Sequence, residues 1–219
     1  MGERFHLNRR IIKPSVKLNR LRIIGGRWRG RRFNFPAQPQ IRPTPDRVRE
    51  TLFNWLTPRI MDARCLDLFA GSGALGLEAL SRGAGQVIMV ERDRYAAHAL
   101  QGHLQDLDAP QGQVLAMDAF TFLAHNQMSF DVVFLDPPFA GDDLARACKL
   151  LADSASLAQD AMIYLECPRT LSLSFLPTGW VAHRSGHAGQ VQYHLFHNQP
   201  MRQDAHAVLV SSKEGLGSQ

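Results

Sequence analysis

From Ala63 onward, short apolar runs alternate with amphipathic stretches of helical length, the pattern of a parallel sheet covered on both faces. Strands are expected at Arg64–Leu68, Gln86–Glu91, Gln113–Met117, Phe130–Leu135 and Ala161–Glu166. Helices are expected at Ala74–Arg82, Arg94–Asp106, Ala119–Ala124 and Asp143–Ala152. The pattern then changes. Trp180–Arg184 and Gln190–His197 flank Gly186 and Gly189, which predicts an antiparallel strand pair closing the sheet. The fold class is therefore α/β, a seven-stranded, mostly parallel Rossmann-like sheet with an antiparallel pair at its C-terminal end.

The first third reads differently. Leu21–Phe33 places Gly25-Gly26 between two β-prone segments, a short hairpin signal. Thr44-Pro45 supplies an N-cap followed by proline at the first helical position, and Val48, Leu52, Trp55 and Leu56 recur at helical spacing. A helix from Pro45 to Leu56 follows, stopped before Pro58, with its apolar stripe on the main domain and Arg47, Arg49 and Glu50 pointing elsewhere. The expected organisation is a flexible basic arm (1–20), a hairpin and helix extension (21–60), the α/β domain (61–199) and a flexible tail (200–219).

Charge sharpens this division. Residues 1–64 carry 16 Lys and Arg against 4 Asp and Glu, whereas residues 65–219 carry 9 against 16. A net +12 segment joined to a net −7 domain points to a polyanionic partner gripped by the N-terminal part. A solvated basic tail is the plainer reading for residues 4–20. No basic-then-apolar leader opens the chain, and no apolar run approaches the ~20 residues a membrane span needs, so a cytoplasmic protein without membrane contact is expected. Cys65, Cys148 and Cys167 read as small buried hydrophobes in a reducing compartment. His183, His187, His194 and His197 lack the partners and spacing of a zinc site, so no metal is expected.

The chemistry lies in two loops. Asp67-Leu68-Phe69-Ala70-Gly71-Ser72-Gly73-Ala74-Leu75-Gly76 puts Gly71, Gly73 and Gly76 at a strand-to-helix turn where a ligand approaches the backbone closely. Glu91 ends the next strand, 20 residues after Gly71, where a carboxylate accepts from both ribose hydroxyls. These features alone describe a dehydrogenase equally well. Asp67, however, would repel a pyrophosphate and welcome a ligand carrying an ammonium and a sulfonium, which S-adenosylmethionine has. Asp118 could accept from an adenine amino group while Ala119 offers its N–H, and a helix N-cap explains Asp118 no less well.

Asp136-Pro137-Pro138-Phe139 begins 65 residues past Gly71, at the end of the fourth strand of the domain. An aromatic amine is a poor nucleophile because its lone pair is delocalised into the ring. Hydrogen bonds from its two N–H groups to the Asp136 side chain and the Pro137 carbonyl draw the nitrogen toward tetrahedral geometry. Pro137 and Pro138 stiffen the loop, and Phe139 offers a stacking face to an extruded base. Asp67–Gly76, Glu91 and this tetrapeptide, in that order, predict methyl transfer to an exocyclic amine.

Arg22-Ile23-Ile24-Gly25-Gly26, Arg42-Pro43-Thr44, Asp46–Asn54, Asp67–Leu80 and Asp136–Phe139 together resemble the bacterial 16S ribosomal RNA guanine-N2 methyltransferase family called RsmD. The resemblance covers roughly residues 21–197. It implies S-adenosylmethionine-dependent methylation of one guanine N2, guanine 966 in the family, on an assembled or assembling 30S particle by a monomeric enzyme. It also implies that Asp67, Phe69, Ala70, Gly71, Ser72, Gly73, Gly76, Glu91, Arg92, Asp118, Ala119, Thr44 and Arg47 attend the cofactor, the Thr44–Asn54 helix lying over its pocket. Arg22, Arg27, Arg29, Arg31, Arg32 and Arg42 are implied at the RNA, and Asp136, Pro137, Pro138 and Phe139 at the reacting amine. The alternatives left open are an amino-methyltransferase for DNA or for protein glutamine, a nicotinamide-dependent oxidoreductase, and a non-catalytic RNA-binding protein.

Overall fold

Strands apolar on both faces dictate a sheet buried between two helical layers. The computed structural model describes residues 18–36, 44–139 and 141–199. Its elements are β1 (Leu18–Arg22), β2 (Arg32–Pro36), α1 (Asp46–Ile60), β3 (Arg64–Asp67), α2 (Ala74–Ser81), β4 (Gln86–Glu91) and α3 (Arg94–Asp106). These are followed by β5 (Gly112–Ala116), α4 (Ala119–His125), β6 (Phe130–Leu135), α5 (Asp143–Ala152), β7 (Leu157–Pro168), β8 (Trp180–Ala188) and β9 (Val191–Asn198). The large sheet has the order β5-β4-β3-β6-β7-β9-β8. Its first five strands run parallel, while β9 is antiparallel to both β7 and β8.

Alternation along each strand divides the core. Cys65, Val87, Met89, Val132 and Phe134 face one cluster with Leu52 and Phe53 of α1, Leu77 of α2 and Leu100 of α3. Leu66, Ile88, Val90, Val133 and Leu135 face the other, with Phe122 of α4 and Leu144 and Leu151 of α5. The chain leaves β3 toward β4 and later returns to β6 on the other side, so the loops after β3 and β6 open onto one crevice. No helix among the described residues is long and apolar enough to cross a membrane.

The N-terminal extension departs from expectation in five ways. The hairpin strands pair from Arg22↔Arg32 to Leu18↔Pro36, so residues 23–31 form a long connection and Gly25-Gly26 is no tight turn. The glycines serve a close approach to α2 instead: a Cβ on Gly26, at φ +75°, would lie 1.8 Å from the Ser81 carbonyl oxygen. β1 starts at Leu18, inside the expected arm, while residues 1–17 and 200–219, and with them the rest of the expected arm and tail, lie outside the described residues. Thr44 does not cap α1; Pro45 holds the N-cap position, with Val48 and Arg49 donating to its carbonyl at 2.9 and 3.0 Å. α1 also runs through Pro58 to Ile60, because proline this near the helix end forfeits one bond while Leu56 and Ile60 remain buried in the core.

Arg49 is the largest correction. It shares the buried face of α1 with Val48, Leu52, Phe53 and Leu56, and it is 1 % exposed. Its guanidinium donates to Asp46 Oδ1 (2.6 Å), the Arg22 carbonyl (2.9 Å), the Thr44 carbonyl (3.2 Å) and Glu78 Oε2 (3.4 Å). Burial depresses the guanidinium pKa, and Glu78 and Asp46 oppose that shift. Glu78, on α2 and 0 % exposed, also accepts from Ile24 N (2.9 Å), Gly25 N (2.8 Å) and Arg82 Nε (2.9 Å).

At the other end, β7 starts at Leu157, earlier than expected, because a bulge at Asp160 (φ 63°) shifts its register against β6. β8 reaches Ala188, and Gly189 at φ 58° turns the chain into β9. Replacing Glu78 with alanine orphans two part-buried amides and strands the buried Arg49, so the unfolding free energy measured by urea titration falls by about 3–5 kcal/mol. The Ile24 and Gly25 amides lose hydrogen-exchange protection in the same variant. A loss under about 1 kcal/mol, the scale of an exposed ion pair, would show the extension to be held by other contacts.

Candidate active site

The glycine loop is fixed from both sides. Gly71 and Gly73 take φ values of 52° and 76°, open to glycine at no steric cost, and Gly73 N closes the turn on the Ala70 carbonyl at 2.7 Å. Gly76 lies within α2, where a Cβ would meet the Met89 side chain at 2.6 Å. Its N–H donates to Asp67 Oδ2 at 2.9 Å, which aims the carboxyl ending β3 across the helix start. Glu91, ending β4, accepts from Gly71 N at 2.8 Å and from Asp93 N at 2.7 Å, so one carboxylate ties the loop to the next strand. Asp118 caps α4 by accepting from Phe120 N and Thr121 N, both at 3.0 Å, and also lines the cavity. Capping and lining thus coexist.

The second loop follows β6 directly. Asp67 pairs with Phe134, so Asp136 stands at the neighbouring strand end, two residues on. Asp136 Oδ2 lies 3.5 Å from Thr44 Oγ1, which donates to Glu166 Oε1 at 2.8 Å. The Tyr164 hydroxyl donates to the same Glu166 oxygen at 2.8 Å. Phe139, at the mouth, is 51 % exposed. Between the loops lies a cavity of about 850 Å³, the size that holds a nucleoside-like ligand.

Most of the expected residues meet there. Thr44, Asp67, Phe69, Ala70, Gly71, Ser72, Glu91, Arg92, Asp118, Ala119, Asp136, Pro137, Pro138 and Phe139 line the cavity. Gly73 and Gly76 shape its wall without lining it, and Arg47 is exposed on α1 outside the lining. Of the arginines expected at RNA, Arg22 is paired with Asp46 at 2.7 Å, Arg27 lies over the Trp28 ring, and Arg31 donates to the Asp106 carbonyl at 3.2 Å. Arg29 and Arg32 are exposed, and Arg42 lies outside the described residues.

Sequence reasoning missed Asp93, Met117, Phe120 and Arg146 in the lining, with the Arg146 guanidinium 3.9 Å above the Phe120 ring. It also missed Glu166 and Tyr164 behind Asp136. A signal existed for Glu166: it ends an apolar strand run, as Glu91 does. Among the described residues, no cluster of three or more His, Cys, Asp or Glu side chains is placed to hold a metal. Cys65, Cys148 and Cys167 are buried free thiols whose pKa values burial raises.

The electrostatics are one-sided. Burial pushes Asp67 up to about 7, the Gly76 N–H opposing and Glu91 reinforcing the shift. Asp136 rises well above the usual carboxylate range through burial, then through Glu166 and Asp67, against the Thr44 hydrogen bond. Glu166 rises through burial, while Thr44 and Tyr164 counter it. Among the described residues, no Lys or Arg forms an ion pair with any of these three. Such a site disfavours a pyrophosphate beside Asp67 and accommodates a ligand that brings its own positive charge. That donor set fits S-adenosylmethionine.

A glycine cradle and an Asp-Pro-Pro-Phe corner, facing each other across the reversal point of this seven-stranded sheet, define the Rossmann-type methyltransferase class. Within it, the chain belongs to the RsmD-like family described as conserved hypothetical protein 95, whose model matches residues 21–197. The ribosomal RNA small subunit methyltransferase D of Escherichia coli K12 is 48% identical over 179 residues, spanning 82% of this chain and 90% of that protein. Its namesake from Haemophilus influenzae is 42% identical over 194 residues, spanning 87% and 100%. The solved structure of Escherichia coli yhhF superposes with a TM-score of 0.78 at 45% identity, over 84% of this chain and 100% of that one.

The raised Asp67 fixes the sign of a pH effect. Its folded pKa of about 7 exceeds the unfolded value, so its stabilising contribution is complete below about pH 4 and is lost as pH rises through 7. Ligand-free protein therefore loses stability across that window by up to ~1.4 kcal/mol per pH unit for this group, and Asp67→Asn removes that share. Urea titrations at pH 5, 6, 7 and 8 check it; parallel curves for the two proteins would refute the assignment.

Proposed function

We propose that this chain methylates the exocyclic N2 amine of a guanine in 16S ribosomal RNA, guanine 966 by family resemblance, on an assembled or assembling 30S particle in the cytoplasm. The observation that carries this reading is the placement of Asp67, buried, and Asp136, half-buried, two carboxyls without an ion-pair partner among the described residues, at adjacent strand ends of one nucleoside-sized cavity. The names of the relatives support the RNA class of substrate.

S-adenosylmethionine, when bound, supplies an electrophilic methyl on a sulfonium. The chain supplies the rest. Glu91 presents two oxygens for ribose hydroxyls, and Asp67 a carboxylate for an ammonium. Asp118 and the Ala119 N–H are available to an adenine edge. Asp136 and the Pro137 carbonyl accept the two N–H groups of the guanine amine and localise its lone pair. Pro137 and Pro138 fix that acceptor pair before substrate arrives, so little reorganisation remains at the reacting geometry. Phe139 stacks on the extruded base, worth about 1–3 kcal/mol in comparable sites. Asp136 need not be a strong base, since the methylated nitrogen is cationic and sheds its proton readily.

An Asp136→Ala variant should keep S-adenosylhomocysteine affinity in calorimetry while methyl transfer falls by about 10²-fold or more. The assay is labelled methyl transfer to 30S particles from a strain lacking the enzyme, with mass-spectrometric mapping of the methylated nucleotide. An unchanged rate would remove Asp136 from the mechanism, and label on any base other than guanine would overturn the substrate. Neutralising Arg27, Arg29, Arg31 and Arg32 together should weaken RNA binding. It should also flatten the log–log salt dependence by roughly 0.7–0.9 for each phosphate that is no longer engaged.

A further inference from the structure

Thr44, the one described residue of the N-terminal extension that lines the cavity, stands between two carboxyls. A hydroxyl has one proton and two lone pairs, so Thr44 can donate to one carboxyl while accepting from the other. It donates to Glu166 Oε1 at 2.8 Å, and the same hydroxyl oxygen lies 3.5 Å from Asp136 Oδ2, where its single proton can be given to Asp136 when that carboxyl is ionised and a proton accepted from it when it is not. Glu166 is 4 % exposed, and its second hydroxyl donor, Tyr164 at 2.8 Å, steadies the oxygen that faces Thr44. Thr44 is itself held from behind, by Arg49 Nε on its carbonyl at 3.2 Å.

Resting on the function proposed above, we propose that Thr44 relays one proton between Asp136 and Glu166, making Glu166 the acceptor for the proton that the methylated guanine amine sheds at Asp136. The ammonium nitrogen releases its proton to the Asp136 carboxylate. Asp136 Oδ2 passes a proton to Thr44 Oγ1 as Thr44 passes its own to Glu166 Oε1. Asp136 is again a carboxylate, Glu166 is a neutral acid, and no atom or charge is left over. Reversal of the same two transfers, once the cavity opens to water, resets the pair.

The surroundings keep the proton in this circuit. Asp67 from β3 faces Asp136, and Tyr164 and Cys167 flank Glu166 on β7. Tyr193 pairs with Glu166 from β9, and Arg49 is the cation beside Thr44, on its carbonyl. Like charges at Asp67, Asp136 and Glu166 resist full ionisation in the ligand-free protein, whereas a cationic ligand in the cavity lets both Asp136 and Glu166 ionise, so the pair enters the step as two carboxylates and leaves it sharing the one proton that the amine sheds. Thr44 and Glu166 are positioning and relay residues; neither touches the guanine.

Two measurements test this separately from the substrate assignment. In RNA-free protein, carbon-13 carboxyl NMR should show Asp136 titrating in two coupled steps shared with Glu166. In Glu166→Gln a single step remains, at lower pH. A single ordinary carboxylate titration in both proteins would overturn the relay even if guanine methylation is established. In single-turnover methylation of 30S particles, Thr44→Val should slow the rate by about 10²-fold. KM for the particle and S-adenosylhomocysteine affinity should hold, and Thr44→Ser should restore most of the rate. Glu166→Gln should move the acidic limb of the pH–rate profile downward. A Thr44→Val rate equal to that of the unmodified protein, or a defect confined to KM, refutes the relay. If Thr44→Val does not fold, Glu166→Gln and Thr44→Ser decide by the same profile. If no particle is methylated by the unmodified protein, the substrate reading fails while the NMR titration still decides the proton sharing.

Discussion

One carboxylate with no exposure to solvent, Glu78 in α2, holds the N-terminal segment on the domain. Burying a charge is costly unless every lone pair finds a donor. Glu78 finds four: the Ile24 and Gly25 amides and the Arg49 and Arg82 guanidinium groups. Its ring of donors brings together three stretches of chain that share no local pattern. Arg49 then extends the network to the carbonyls of Arg22 and Thr44, so the same contact that seats the loop 23–31 also sets Thr44 over the cavity. The Thr44 side of the cavity therefore depends on an ion pair formed on the opposite side of α1 from solvent.

Inside the cavity the same chemistry is left unfinished. Asp67, Asp136 and Glu166 are carboxyls in low-dielectric surroundings, supplied with hydroxyl and amide donors but no guanidinium or ammonium. The protein carries this as a cost at neutral pH in the ligand-free state, and a cationic ligand relieves it. Binding and stability are thereby linked: a ligand that neutralises these groups stabilises the folded state beyond its contact area. Glu78 and Asp67 are both buried acids within one βα unit, and they differ in whether the positive charge is built in or brought by the ligand.

How much of this was legible in the sequence follows from the range of each interaction. The alternation of apolar runs and amphipathic stretches gave the parallel sheet, its helices and the C-terminal pair, because burial of each element writes a local period. The glycine loop, Glu91 and Asp136–Phe139 were legible because backbone approach and loop rigidity require particular residue types in fixed order. The partners of Thr44 and Arg49 were not. Thr44 before Pro45 has every local mark of a helix cap, yet its hydroxyl is claimed by Glu166, 122 residues away. Arg49 looks solvent-facing beside Arg47 and Glu50, and only the approach of Glu78, 29 residues on, turns it inward. Gly25-Gly26 reads as a tight turn for the same reason, since Ser81, whose carbonyl requires Gly26, lies on another element. Composition and period record what a residue needs, whereas these three positions depended on which distant group met the need.

Distance also constrains the substrate. The loop bearing Arg27, Arg29 and Arg31 contacts Ser81 and Asp106, the last residues of α2 and α3, whereas the cavity lies at the first turns of those helices. Eight and thirteen residues of α-helix span about 12 and 20 Å at 1.5 Å per residue, so the basic loop and the cavity occupy opposite ends of this flank. A small amine or a free nucleoside would fill the cavity and never meet the arginines. A ligand using both must be long, anionic along the flank, and able to swing one base into the pocket. In the proposed reaction, an acceptor pair at Asp136 and Pro137 would not discriminate between exocyclic amines. Discrimination among amines would then fall to the shape of the polyanion that reaches from the cavity to the far ends of α2 and α3, with Phe139 at the entrance stacking on whichever base that shape delivers.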